Sequence, residues 1–151
     1  MSSVLIVYHS QSGASARLAR AAWNGARREP GVTVSVARAW DAGVRQLRQA
    51  DGVLLVAAEN SAYLSGGMKD FLDRCFYPAI DAGLVLPYAL LVSAGNDGRG
   101  AVSQTQRILR GIPFTPAAEP VILRGEVDAG HEAASEELGQ AFAAGLAMGI
   151  F

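Results

Sequence analysis

Hydrophobic positions along this chain follow two alternating rhythms. Val4–Tyr8, Gly52–Ala58 and Tyr88–Val92 are short, nearly continuous apolar runs. Strands buried on both faces read this way. Val32–Ala37 alternates, with valines at period two, and predicts a further strand; Val121–Leu123 predicts a short one. The stretches between them follow the helical period. Gly13–Arg28 is rich in Ala, Arg and Leu, and Pro30-Gly31 stops it. Met68, Phe71, Leu72, Cys75 and Phe76 recur at i, i+3, i+4, i+7 and i+8, one apolar helix face, with Pro78 as its expected end. A helix is predicted from Ala101 to Leu109, stopping near Gly111 and Pro113. Leu138, Ala141, Phe142, Gly145, Leu146 and Gly149 trace a last helical face. Glu132, Glu136 and Glu137 fall in its early turns, where they complement the helix dipole. Asp41–Ala50 reads as a connector holding one helical turn at most.

Alternating strand and helix implies a parallel sheet covered by helices on both faces. The whole chain, residues 1–151, reads as one domain with five parallel strands in the order 2-1-3-4-5. In such a sheet the ligand crevice lies outside the carboxyl ends of strands 1 and 3. Three polar loops, at residues 10–15, 59–66 and 93–98, follow strands 1, 3 and 4 and would converge there.

The first of these loops is Ser10-Gln11-Ser12-Gly13-Ala14-Ser15, hydroxyl-rich and placed between a strand and a helix. Such a turn suits a phosphate, because hydroxyls and backbone N–H groups point at it and the helix N-terminus adds partial positive charge. The competing reading is a simple serine N-cap, for which one hydroxyl suffices. The loop contains no Lys or Arg, which fits a neutral, dipole-based phosphate site. Neither the Walker sequence nor G-x-G-x-x-G is present. Glu59-Asn60-Ser61-Ala62-Tyr63-Leu64-Ser65-Gly66-Gly67-Met68-Lys69 repeats the strand–turn–helix layout. Ser93-Ala94-Gly95-Asn96-Asp97-Gly98 carries a turn signal.

Composition narrows the partners. Half the residues are hydrophobic, 18% are charged and the net charge is −1. A well-cored globular domain follows, and without a basic run nucleic acid is not an expected partner. The single cysteine, Cys75, excludes an internal disulfide and a Cys-rich metal site; it falls on an apolar helix face and reads as core. His9 and His131 are not spaced as a ligand pair, so no metal is expected. No apolar run is long enough to span a bilayer and no charged leader precedes the first strand. The expected location is the cytoplasm, away from membranes.

Tyr8-His9-Ser10-Gln11-Ser12-Gly13, then Glu59-Asn60…Tyr63…Ser65-Gly66…Lys69-Asp70-Phe71…Asp73-Arg74, then Ser93-Ala94-Gly95-Asn96-Asp97-Gly98 resemble the flavodoxin family. The nearer likeness is to its short bacterial NAD(P)H-dependent FMN reductases. The resemblance spans nearly the whole chain and implies a flavodoxin-like three-layer α/β sandwich that binds FMN. It implies that Ser10, Ser12 and Ser15 match the hydroxyls of the FMN phosphate loop, with Gln11 among them, and that Gly13 and Ala14 match its backbone donors. Glu59, Asn60, Ser61, Ala62 and Tyr63 match the loop beside the isoalloxazine. Ser93, Ala94, Gly95, Asn96 and Asp97 match the loop at its pyrimidine end. The chain departs from the family at Ala14, commonly Gly or Asn, and at Ser61-Ala62, often an aromatic and Gly.

The resemblance implies an oxidoreductase that takes hydride from NAD(P)H as co-substrate and reduces a small acceptor, a quinone or free flavin. The flavin carries that chemistry, so no catalytic side chain is expected. One rival is a one-electron carrier; such carriers tend to be strongly acidic, unlike this chain. Another is a non-enzymatic member that binds FMN weakly or not at all. A homodimer with the site near its interface is expected from similar reductases. Tyr63 is either an exposed loop residue or a flavin contact. Glu59 is either solvated or a polar contact, with solvation favoured. His9 reads as structural, Trp23 and Trp40 as packing or surface residues, and Lys69–Asp73 as a surface ion pair.

Overall fold

The computed structural model describes residues 1–151. Four strands form the centre of the sheet: β1 (Ser2–Tyr8), β2 (Val32–Arg38), β3 (Gly52–Asn60) and, later in the chain, β5 (Pro87–Ala94). A two-residue strand β4 (Tyr63–Leu64) folds back on β3. Helices α1 (Ala14–Ala26), α2 (Val44–Arg48), α3 (Gly66–Asp81), α4 (Arg99–Gly111) and α5 (Ala129–Met148) fill the connections. The far edge is made by β6 (Thr115–Pro116) and β7 (Val121–Arg124), which pair with different ends of β5. They act as two pieces of one interrupted strand. The order β2-β1-β3-β5, closed by that split edge, is the expected 2-1-3-4-5, and every pairing except β3–β4 is parallel.

Period-two geometry assigns the central strands to two cores. Leu5, Val7, Val53, Leu55, Leu90 and Val92 face α2, α3 and α4, beside Phe71, Leu72 and Leu109. Val4, Ile6, Leu54, Val56, Ala89 and Leu91 face α1 and α5, beside Leu18 and Phe142. Burial on both faces is why these strands read as continuous apolar runs rather than alternating ones.

Pro78 does not end α3, which continues to Asp81. Proline removes one N–H and disfavours helix at the residue before it. Burial outweighs that cost here. Ala79 is fully buried, and Ala82 N–H to Pro78 O at 3.0 Å and Leu84 N–H to Ala79 O at 3.0 Å close the last turn. The Asp41–Ala50 connector holds α2, five residues long, whose N-terminal Gly43 N–H is accepted by Gln46 Oε1 at 2.8 Å.

Candidate functional site

A cleft of about 1020 Å³ opens at the carboxyl ends of β1, β3 and β5. Ser10, Gln11, Ser12, Gly13, Ala14 and Ser15 form one wall. Glu59 and Asn60 come from the end of β3, and Ser93, Ala94 and Gly95 from the end of β5. The three predicted loops therefore meet. Five residues named with them lie outside the lining: Ser61, Ala62, Tyr63, Asn96 and Asp97. Six others join it: His9, Arg17, Ala58, Gly125, Glu126 and Val127.

The first loop has no serine cap. The N-cap of α1 is Gly13, in the left-handed region at φ 98°, and no side chain caps the helix. Ser10 Oγ accepts instead from Gly13 N–H at 3.0 Å, ahead of the helix. The first intrahelical bond runs from Arg17 N–H to Gly13 O at 3.1 Å. Ala14, Ser15 and Ala16 thus have no helix carbonyl for their N–H groups, as at any helix start. Ser15 Oγ is buried and donates to Ala57 O at 3.4 Å, so it braces the loop. Ser12 is exposed at the apex. Orphan N–H groups, a hydroxyl and the positive end of α1 are the donor set a phosphomonoester needs.

The second loop is built differently. Ser61 and Ala62 both have positive φ, 52° and 69°, which makes a tight hairpin between β3 and β4. Neither is glycine, and non-glycine residues held there cost on the order of 1 kcal/mol or more each. Contacts to α4 hold the turn. Leu64 N–H donates to Gln104 Oε1 at 2.8 Å, and a Cβ at Gly100 would overlap the Ala62 carbonyl oxygen. Tyr63 is exposed on the hairpin, outside the cleft. Behind it, Ser65 Oγ pairs with His9 Nδ1 at 3.1 Å. The His9 ring fills the space a Cβ would need at Gly67, in the first turn of α3. Burial pushes the His9 imidazole below its ordinary value, which fits a neutral structural ring. Trp40 meets it edge-on at 5.5 Å.

Glu59 is half-buried at the cleft and is not free. Its carboxylate accepts from Gly98 N–H at 2.5 Å and Asn96 N–H at 3.4 Å, fastening the third loop to β3. Asp97 turns outward to Arg99, whose hydrogen bond holds its carboxyl below the usual carboxylate range; Arg124 also lies near.

The fourth wall, Gly125–Val127, escaped the sequence reading. It follows β7, whose four residues carry little pattern. Gly125, at φ 84°, turns the chain and donates to Ala94 O at 2.9 Å. Arg17, one turn into α1, is ion-paired with Glu132 and donates to Val127 O at 3.1 Å. The loop itself is free of cations, as its sequence says, but the cleft is not. Cys75 is core, its thiol pushed up to about 11 by burial. Lys69–Asp73 is the surface pair its spacing predicts, at 2.8 Å.

A doubly wound sheet with an uncapped helix start at its strand-end crevice defines a flavodoxin-like α/β protein. The family model for NADPH-dependent FMN reductase matches residues 26–128, and the chain belongs to that family, a class of FMN flavoprotein oxidoreductases. The matched span begins after the 10–15 loop. Among solved structures, the chain is similar to a flavodoxin from the domain Archaea at 20% identity and TM-score 0.82, covering 93% of this chain and 96% of that one. It is also similar to a flavodoxin, WrbA-like protein from Agrobacterium tumefaciens at 18% identity and TM-score 0.79, covering 95% and 96%. The flavodoxin of Megasphaera elsdenii aligns at 20% identity and TM-score 0.78, covering 93% and 98%. At such identities the likeness is one of fold. No curated protein matches the chain. No helix is long and apolar enough to cross a membrane.

Proposed function

We propose that the cleft holds FMN by its phosphate at the first loop and that the protein passes reducing equivalents from NAD(P)H to a small acceptor, a quinone or free flavin. The observation that carries the cofactor half is the uncapped start of α1, which faces the cleft with unpaired N–H groups. When bound, FMN supplies hydride acceptance and donation; the chain supplies position and electrostatics. Ala14, Ser15 and Ala16 would donate N–H groups to the phosphate, and Ser12 its hydroxyl. Glu59 keeps the third loop in place and occupies the Asn96 and Gly98 N–H groups, so a flavin ring would meet other atoms of that loop. The nicotinamide half rests on family membership. A homodimer in the cytoplasm belongs to the same reading, since only short strand-end loops border the cleft; sedimentation as a monomer in the presence of FMN would remove that part.

The experiment has two stages. Apo protein titrated with FMN, FAD and riboflavin by fluorescence quenching should bind FMN tightest. Anaerobic mixing with NADPH or NADH should then bleach the bound flavin. Equal affinity for riboflavin would remove the phosphate argument. Bleaching by dithionite but by neither nicotinamide would identify a one-electron carrier.

A further inference from the structure

We propose that the Arg17–Glu132 ion pair is an internal competitor for the cofactor phosphate: Arg17 is the cation that a bound phosphate draws away from Glu132. The inference rests on the FMN reading above. Arg17 is the one Lys or Arg among the residues that line the cleft, and it shares a wall with Ser12, Gly13 and Ala14. Its side chain is 53% exposed, and its guanidinium bonds to the carbonyl of Val127, which also lines the cleft.

The two ends of the guanidinium have different partners. Nη1 donates to Val127 O at 3.1 Å and ties the fourth wall to α1. Nη2 pairs with Glu132 in the first turn of α5. An exchange at Nη2 therefore leaves the Nη1 strut in place. The other acids nearby are not bonded to Arg17. Glu126 lines the cleft, Asp128 caps α5 by accepting His131 N–H at 2.8 Å, and Glu136 is paired with Arg28. The Glu132 pair is an exposed one, and exposed pairs hold their partners weakly. A phosphate carries more charge than a carboxylate, and the guanidinium fork suits its oxygens. The exchange thus favours phosphate once FMN is seated at the start of α1.

Competition makes the two partners act with opposite sign, which a purely structural strut cannot do. Arg17→Gln should weaken FMN binding roughly tenfold, the scale of one hydrogen bond to a charged group, and leave riboflavin binding unchanged. Glu132→Gln should strengthen FMN binding about two- to fivefold by freeing the cation, again without effect on riboflavin. Arg17→Lys, which keeps charge but loses the fork, should fall between parent and Arg17→Gln. Circular dichroism and thermal melts establish that each variant is folded, and fluorescence titrations with FMN and riboflavin supply the affinities. If Arg17→Gln and Glu132→Gln both weaken the two flavins alike, or neither changes FMN affinity, the pair is only a strut and the inference is overturned. If the parent binds FMN no better than riboflavin, the reading of the phosphate site fails instead.

Discussion

The 10–15 and 59–66 loops share one layout in sequence, strand then small polar turn then helix, yet the fold puts them to opposite uses. In the first, the turn is open, the helix start is uncapped, and Ala14 and Ser15 of its first turn line the cleft. In the second, the start of α3 likewise has no side-chain cap, but the residues around it are tied to other parts of the fold. Glu59 holds the third loop, Leu64 N–H is bonded to Gln104, and the His9 ring closes the start of α3. Both helix starts have the same dipole and orphan donors. What separates them is access: Ala14 and Ser15 line the cleft, whereas no residue of α3 does and the His9 ring packs on Gly67. A helix N-terminus is an anion site only where the fold leaves it unfilled.

The largest expected effect follows from adding charge to the open loop. Ser12→Asp places a carboxylate beside the phosphate site, and two unit charges ~4 Å apart repel by roughly 4 kcal/mol at an effective dielectric near 20, about a thousandfold in affinity. The protein should stay folded, because an acid near a helix start is favourable there. FMN titration of a variant shown by circular dichroism to be folded checks this.

Filling the second loop acts on stability instead. Gly100→Ala pushes a methyl group into the Ala62 carbonyl and should cost about 1–3 kcal/mol in thermal or urea unfolding. Glu59→Gln removes the charge from the bond to Gly98 N–H and should cost on the order of 1 kcal/mol, with faster amide exchange at Asn96 and Gly98. The smallest effect is expected at the hairpin tip. Tyr63 points outside the cleft, and Tyr63→Ala should leave FMN affinity within about twofold, as for an ordinary surface substitution. A larger loss would mean the hairpin swings over the ligand.

Much of this architecture was legible in the sequence because burial on both faces leaves an unmistakable pattern in β1, β3 and β5. The order of the sheet followed from the alternation of strands and helices. Short pairings were not legible. β4 and β6 have two residues each, below any period. Pro78 is a stop signal by local backbone preference alone, and the buried Ala79 beyond it carries α3 on to Asp81. The first loop was legible as a wall of the cleft because its residues stand together in the sequence. Glu59 was legible as a residue of the cleft but its bond to Gly98 was not, and Arg17 was not legible at all, because their partners lie 39 and 115 positions away.

The amide N–H groups proposed to hold the phosphate are the most direct test. Riboflavin and FMN share the same ring and differ by the phosphate alone. The difference between amide spectra of ¹⁵N-labelled protein saturated with each flavin therefore isolates that group. The largest differences should fall on Ala14, Ser15 and Ala16, with none of comparable size on Gly66, Gly67 or Met68. Differences concentrated at the start of α3 or on the 61–64 hairpin would contradict the account.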